Sequence, residues 1–246
     1  MADTQTAPNE SAARVHQVVG ILVASAVIIA VLVAVFASGS TSELRPGKPV
    51  PGASATISML KGVHQAGLVL GNPQAPVTLL EYGDLQCPTC ASFAQEELPG
   101  LISSYVRPGK VRIVFEPLDL IGPDSMRAAK MAVALGGQHR LWQFVDLMYR
   151  NQGAENTGYV TTTYLEALAS AIPGANVHRA LAARNAARVD AVIARASAQA
   201  RQLGLTGTPS FTIARTGGKA HRLPESAASE SSVIEEAVEG LLSRQR

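Results

Sequence analysis

Residues 77–90 read VTLLEYGDLQCPTC, and the fold is decided in this stretch. Val77–Tyr82 is a short apolar, partly β-branched run that follows Asn72-Pro73 and Pro76, the pattern of a buried strand. Glu81 is out of place in such a strand. After residues 83–86 comes Cys87-Pro88-Thr89-Cys90, and then Ala94, Leu98, Leu101, Ile102 and Tyr105 recur every three or four residues, one face of a helix. Proline is favoured at the first helical position, so Pro88 puts Cys87 at the helix N-terminus and Cys90 in the first turn. Pro99, inside the same pattern, predicts a kink.

Val111–Glu116 (VRIVFE) reads as a second strand, and strand, helix, strand in this order implies a parallel pair with a right-handed crossover. From Pro123 to Leu203 the apolar period is helical, broken at Gly136-Gly137, Gly153, Gly158 and Pro173-Gly174. That spacing predicts four or five helices. The last carries the stripe Val189, Val192, Ala196, Ala200 and Leu203, with Gly204 as its stop. Ser210–Ala214 and Ala220–Leu223 flank Thr216-Gly217-Gly218-Lys219 as a hairpin. Ser232-x-x-Glu235 predicts a capping box on a closing helix.

Upstream, Val18–Ala37 is a twenty-residue run without charge, interrupted only by Gly20 and Ser25. At ~1.5 Å per residue it spans the ~30 Å hydrocarbon core, so a single transmembrane helix is expected. A cleaved signal peptide is the competing reading, which the length of the run disfavours. Arg14 precedes the run whereas Arg45, Lys48 and Lys61 follow it, so the charge count does not favour an N-inside orientation. A signal anchor with the C-terminal domain outside the cytoplasm is nevertheless the expectation, because long domains translocate with little regard to charge. The expected organisation is a cytoplasmic tail 1–17, a membrane helix 18–37, a linker 38–66 rich in glycine, proline and small polar residues, and a folded domain 67–246 with a helical insertion at about 120–203. Ile57–Val63 is apolar enough to pack on that domain.

The chain's 246 residues allow one domain plus appendages, and 47% hydrophobic against 16% charged residues allows a sizeable core. A net charge of +2, scattered along the chain, gives no nucleic-acid signal. Two cysteines are too few for a disulfide-dense scaffold, a four-cysteine zinc site or a cysteine-ligated iron–sulfur cluster.

The C-x-x-C has three readings: half a metal site, a structural disulfide, or a redox dithiol. His16, His64, His139, His178 and His221 do not pair at zinc spacing, so no metal and no cofactor are expected. A disulfide closing two residues restrains little chain entropy. Redox chemistry therefore leads, with Cys87 as nucleophile, because the helix dipole favours its thiolate, and Cys90 as the inward resolving thiol. Glu81, six residues before Cys87, is either a buried acid exchanging a proton with Cys90 or a strand end reaching solvent. Thr208-Pro209 opens the third strand, and spacing alone leaves it an ordinary trans turn.

The run LVLGNPQAPVTLLEYGDLQCPTC (68–90), the helix-rich stretch and GLTGTPSF (204–211) together resemble the membrane-anchored DsbA-like thioredoxin family. The resemblance implies an α/β thioredoxin fold with an inserted helical domain. It also implies Cys87 as attacking thiol, Cys90 as resolving thiol, Glu81 as buried acid, and Thr208-Pro209 as a cis-proline loop that pairs with substrate peptide. Strongly oxidising members carry histidine in the active-site dipeptide, where this chain has Pro88 and Thr89. The function so implied is disulfide donation to thiol-containing secreted proteins, with a membrane redox partner resetting the dithiol. A reductase or isomerase is the alternative within the same chemistry. A holdase-like binding module, with a groove at Trp142, Phe144, Met148 and Tyr149, is the alternative outside it, although such spacing usually marks core.

Overall fold

The computed structural model describes residues 44–243. In chain order these form α1 (Ala53–Leu60), β1 (Gln65–Ala66), β2 (Val69–Leu70), β3 (Val77–Asp84), a continuous helical run α2 (residues 88–106) and β4 (Val111–Leu118). The helices α3 (Pro123–Gly136), α4 (Leu141–Arg150), α5 (Thr162–Ser170), α6 (Val177–Ala183) and α7 (Ala187–Gln202) follow. The chain then returns through β5 (Ser210–Arg215), β6 (His221–Arg222), a 3₁₀ turn (Glu225–Ala228) and α8 (Ser231–Ser243). The apolar run 18–37 and the tail 1–17 lie outside the described residues, and none of the described helices is long and apolar enough to cross a membrane.

The sheet order is β1-β2-β4-β3-β5-β6. β3 runs parallel to β4, with Glu81 opposite Phe115, and antiparallel to β5, with Glu81 opposite Phe211. A strand flanked on both sides and covered on both faces must be apolar nearly throughout, which is why VTLLEY lacks alternation. Side chains of successive strand residues point to opposite faces. Leu79 belongs to the main core beneath α2, α4 and α8, and Glu81 and Gly83 share its face. Leu80 and Tyr82 join Leu118, Ala196 and Ala200 in a second core under α7.

Aromatic contacts dock the inserted helices onto this sheet. Trp142 of α4 meets Phe115 of β4 edge-on with centroids 6.1 Å apart, and its indole N–H donates to the Leu68 carbonyl at 3.1 Å. A fully buried tryptophan removes about 150–250 Å² from water, worth roughly 4–6 kcal/mol of transfer free energy. Trp142, Phe144, Met148 and Tyr149 are all buried, so they form core and no open groove.

Two local expectations, on the spacer and on the start of the closing helix, are revised. The stretch 38–66 is not a free spacer over its second half, and the folded unit begins before Gly67. Thr56 and Leu60, one helical turn apart, are buried, and the Thr56 hydroxyl bonds to Asp146 of α4. Arg150 completes this clasp by donating to Asp146 at 2.7 Å. Gly52, at φ +78, touches the Arg150 side chain so closely that a Cβ would stand 2.3 Å from its Cδ. At Pro99, where a kink is expected, the helical run α2 continues. The helix instead widens into π turns at Phe93–Glu97 and Ile102–Val106, with the Leu98 N–H reaching back to the Phe93 carbonyl. Proline has no N–H and its ring excludes the carbonyl four residues before it, and a widened turn relieves both defects. α8 begins at Ser231, before the expected box, and the Ser231 N–H is met by the Glu97 carboxylate of α2 at 3.1 Å.

Candidate active site

β3 and α2 together place the dithiol. Cys87 holds an extended conformation (φ −70, ψ 121) just before Pro88 starts the helix, and its N–H donates to the Asp84 carbonyl at 3.0 Å. Pro88 and Thr89 are exposed, Cys87 is 7% exposed and Cys90 is fully buried. The Cys87 thiol donates to the Thr208 carbonyl at 3.2 Å, across the cis Thr208-Pro209 peptide bond. The loop before β5 thus faces Cys87, an arrangement that spacing alone leaves undetermined.

The two thiols are electrostatically unlike. Cys87 is lowered from 9.0 to about 6, chiefly by a hydrogen bond from the Cys90 thiol, and further by the Thr208 side chain and the backbone N–H groups of Cys90 and Thr89. Burial opposes these without cancelling them. The helix N-terminus expected to do this work contributes through those two N–H groups, whereas the leading partner is Cys90. Cys90 itself is pushed well above its usual value, first by burial and then by its bond to Cys87 and the charges of Cys87 and Glu81. The thiolate is the reactive form of cysteine, and of the two sulfurs Cys87 is the one held toward it while Cys90 is held as a thiol.

Glu81 is 1% exposed, which removes the solvent-reaching alternative. Desolvation raises its carboxyl to about 8, and its Oε2 atom is buried without a partner among the described residues. At neutral pH it is therefore largely a neutral acid.

Two features of the site have no signal in the sequence. Tyr149 of α4 brings its hydroxyl close to Cys90 and over Gly83, where a Cβ would meet it at 2.9 Å. The turn between β3 and α2 is also tied to the helical insertion. Asp84 accepts from the Gln86 N–H (2.9 Å), the Ser125 hydroxyl (2.6 Å) and the Ile121 N–H (3.0 Å). Gln152 donates to the carbonyls of Leu85 (3.0 Å) and Cys87 (3.1 Å). Burial leaves such polar groups no water, so these bonds hold the turn in one conformation. Among the described residues no group of three or more His, Cys, Asp or Glu is placed to hold a metal.

The thioredoxin family profile matches residues 64–236. The chain belongs to the thioredoxin family. It is similar to the probable disulfide bond formation protein D of Bacillus cereus, with 29% identity over 147 residues covering 58% of this chain and 68% of that protein. The fold matches the oxidised form of BdbD from Bacillus subtilis with a TM-score of 0.63 at 20% identity, covering 81% of this chain and 96% of that one. DsbA of Chlamydia trachomatis matches with a TM-score of 0.61 at 18% identity, over 72% and 92% of the two chains. With the Cys87 and Cys90 dithiol in place, the protein is a DsbA-like thiol:disulfide oxidoreductase of the thioredoxin fold.

Proposed function

We propose that the protein is an extracytoplasmic oxidase that donates disulfides to thiol-containing secreted proteins. The observation that carries the reading is the asymmetry of the dithiol, with Cys87 lowered to about 6 while Cys90 is held high. A substrate thiolate attacks Cys87 of the Cys87–Cys90 disulfide, a mixed disulfide forms and Cys90 leaves. A second substrate thiolate then attacks the substrate sulfur, the product disulfide departs and Cys87 leaves as a stabilised thiolate. Thr208, half-buried, and Pro209 lie against Cys87, and their loop pairs with the backbone of the substrate peptide. A membrane redox partner in its oxidised, disulfide form accepts the two electrons and restores the Cys87–Cys90 disulfide.

Stabilising the Cys87 thiolate one unit below pH 7 favours the reduced form by about 1.4 kcal/mol, roughly 30 mV. It gives the sign of the bias and about a fifth of the ~150 mV between thioredoxin and DsbA. The full-length protein equilibrated with glutathione buffers should accordingly show a potential above about −240 mV. A value at or below the thioredoxin level of about −270 mV would reassign it as a reductase.

The domain is anchored by residues 18–37 as a single-pass membrane protein and lies outside the cytoplasm, where a dithiol can be kept oxidised. The uncharged length of that run supports the anchor. Alkaline phosphatase fused after Arg246 should be active, since the reporter needs its own disulfides. A well-expressed but silent fusion would place the domain in the cytosol and end the oxidase reading.

A further inference from the structure

Tyr149 is a buried ionisable group that the exchange steps above leave unused. It is 2% exposed, and its hydroxyl is buried with no hydrogen bond formed among the described residues. Packing alone would be served as well by phenylalanine, which carries no polar atom to strand. The position of the oxygen is specific. Gly83 lacks a side chain where the phenol lies, and Gly83 and Glu81, two residues apart on β3, share one face. α4 packs against the first turn of α2, which contains Cys90. The titratable groups facing Tyr149 are Cys90 from α2 and Glu81 and Asp84 from β3. Burial, then the charges of Cys90 and Glu81, hold the phenol well above its usual range, so it stays an O–H donor.

We propose that Tyr149 is the proton-transfer residue of Cys90, carrying a proton between the Glu81 carboxyl and the Cys90 sulfur. The inference rests on the oxidase reading and deepens it. As the substrate sulfur bonds to Cys87, the Cys87–Cys90 bond breaks and Cys90 takes the electron pair. The Tyr149 O–H proton passes to that sulfur while the Glu81 carboxyl proton passes to the phenol oxygen. Glu81 ends as a carboxylate and regains its proton from water. On reoxidation the disulfide of the membrane redox partner takes the two electrons, and the Cys90 proton leaves through Tyr149 to the Glu81 carboxylate as the Cys90 sulfur bonds to Cys87.

The test uses oxidised full-length protein and a reduced dithiol peptide, with single-turnover rates for wild type and Tyr149→Phe. The variant should be about 100-fold slower at pH 7, the low end for a positioned proton-transfer group. The ratio of the two rates should collapse above about pH 8, where Glu81 no longer holds a proton to pass. Iodoacetamide alkylation of Cys87 in the reduced variant should titrate as in wild type, showing an intact site. Equal rates, or a ratio that does not change with pH, would make Tyr149 a packing residue and overturn the inference. A wild-type protein that exchanges no disulfide with the peptide would overturn the oxidase reading and this one together.

Discussion

The two faces of the central sheet each bury a glutamate and treat it differently. On the α7 face, Glu116 of β4 is 2% exposed and accepts from the Arg195 guanidinium at 2.9 and 3.2 Å. Burial raises its carboxyl, and Arg195 pulls it back. On the α2 and α4 face, Glu81 has no cationic partner among the described residues, and desolvation alone carries it to about 8. A buried charge is normally paired because an unpaired one is destabilising. Glu116 obeys this rule and reads as structure. Glu81 departs from it beside two thiols and a phenol, which is the setting that the proton transfer proposed above requires.

The largest expected effect breaks the redox face outright. Cys87→Ser should abolish disulfide exchange while leaving the α7 face and the fold intact, whereas Cys90→Ser should accumulate mixed disulfides with substrates, seen on non-reducing gels. Adducts formed by the Cys87→Ser protein instead would reverse the two roles.

Glu81→Gln sharpens the contrast through stability. A carboxyl raised from 4.5 to about 8 in the folded state weakens folding as pH rises between those values. The glutamine variant should therefore gain up to about 3 kcal/mol in denaturant unfolding at pH 7 and little at pH 4, while turning over more slowly. An equal gain at both pH values would show that the penalty is not ionisation.

A smaller effect of opposite sign is expected on the other face. Arg195→Met strands the Glu116 carboxylate, but the arginine side chain is 56% exposed, so screening limits the loss to about 1–2 kcal/mol at pH 7. The loss should shrink in acid as Glu116 protonates, and disulfide exchange should be unchanged. A redox defect in this variant would couple two faces that share no hydrogen bond or ion pair described above.

Much of the redox face was legible because its signals are local. Val77–Tyr82 lacks alternation because β3 is covered on both sides, and Pro88 starts a helix whatever packs against it. Gly204 stops α7 at φ +64 because a left-handed residue suits glycine. These features arise within a few residues of the chain, so composition and period determine them, and with them the strand–helix order and the identity of the dithiol. Other features bring together groups far apart in sequence: the Thr208 carbonyl at Cys87, Glu97 at the start of α8, Thr56 on Asp146, Arg195 on Glu116, and Tyr149 over Gly83. No periodicity records such meetings. Whether a carboxylate is paired or stranded, and which buried groups a tyrosine hydroxyl faces, depends on which side chain a distant helix delivers to the same buried space, and only the tertiary structure decided that.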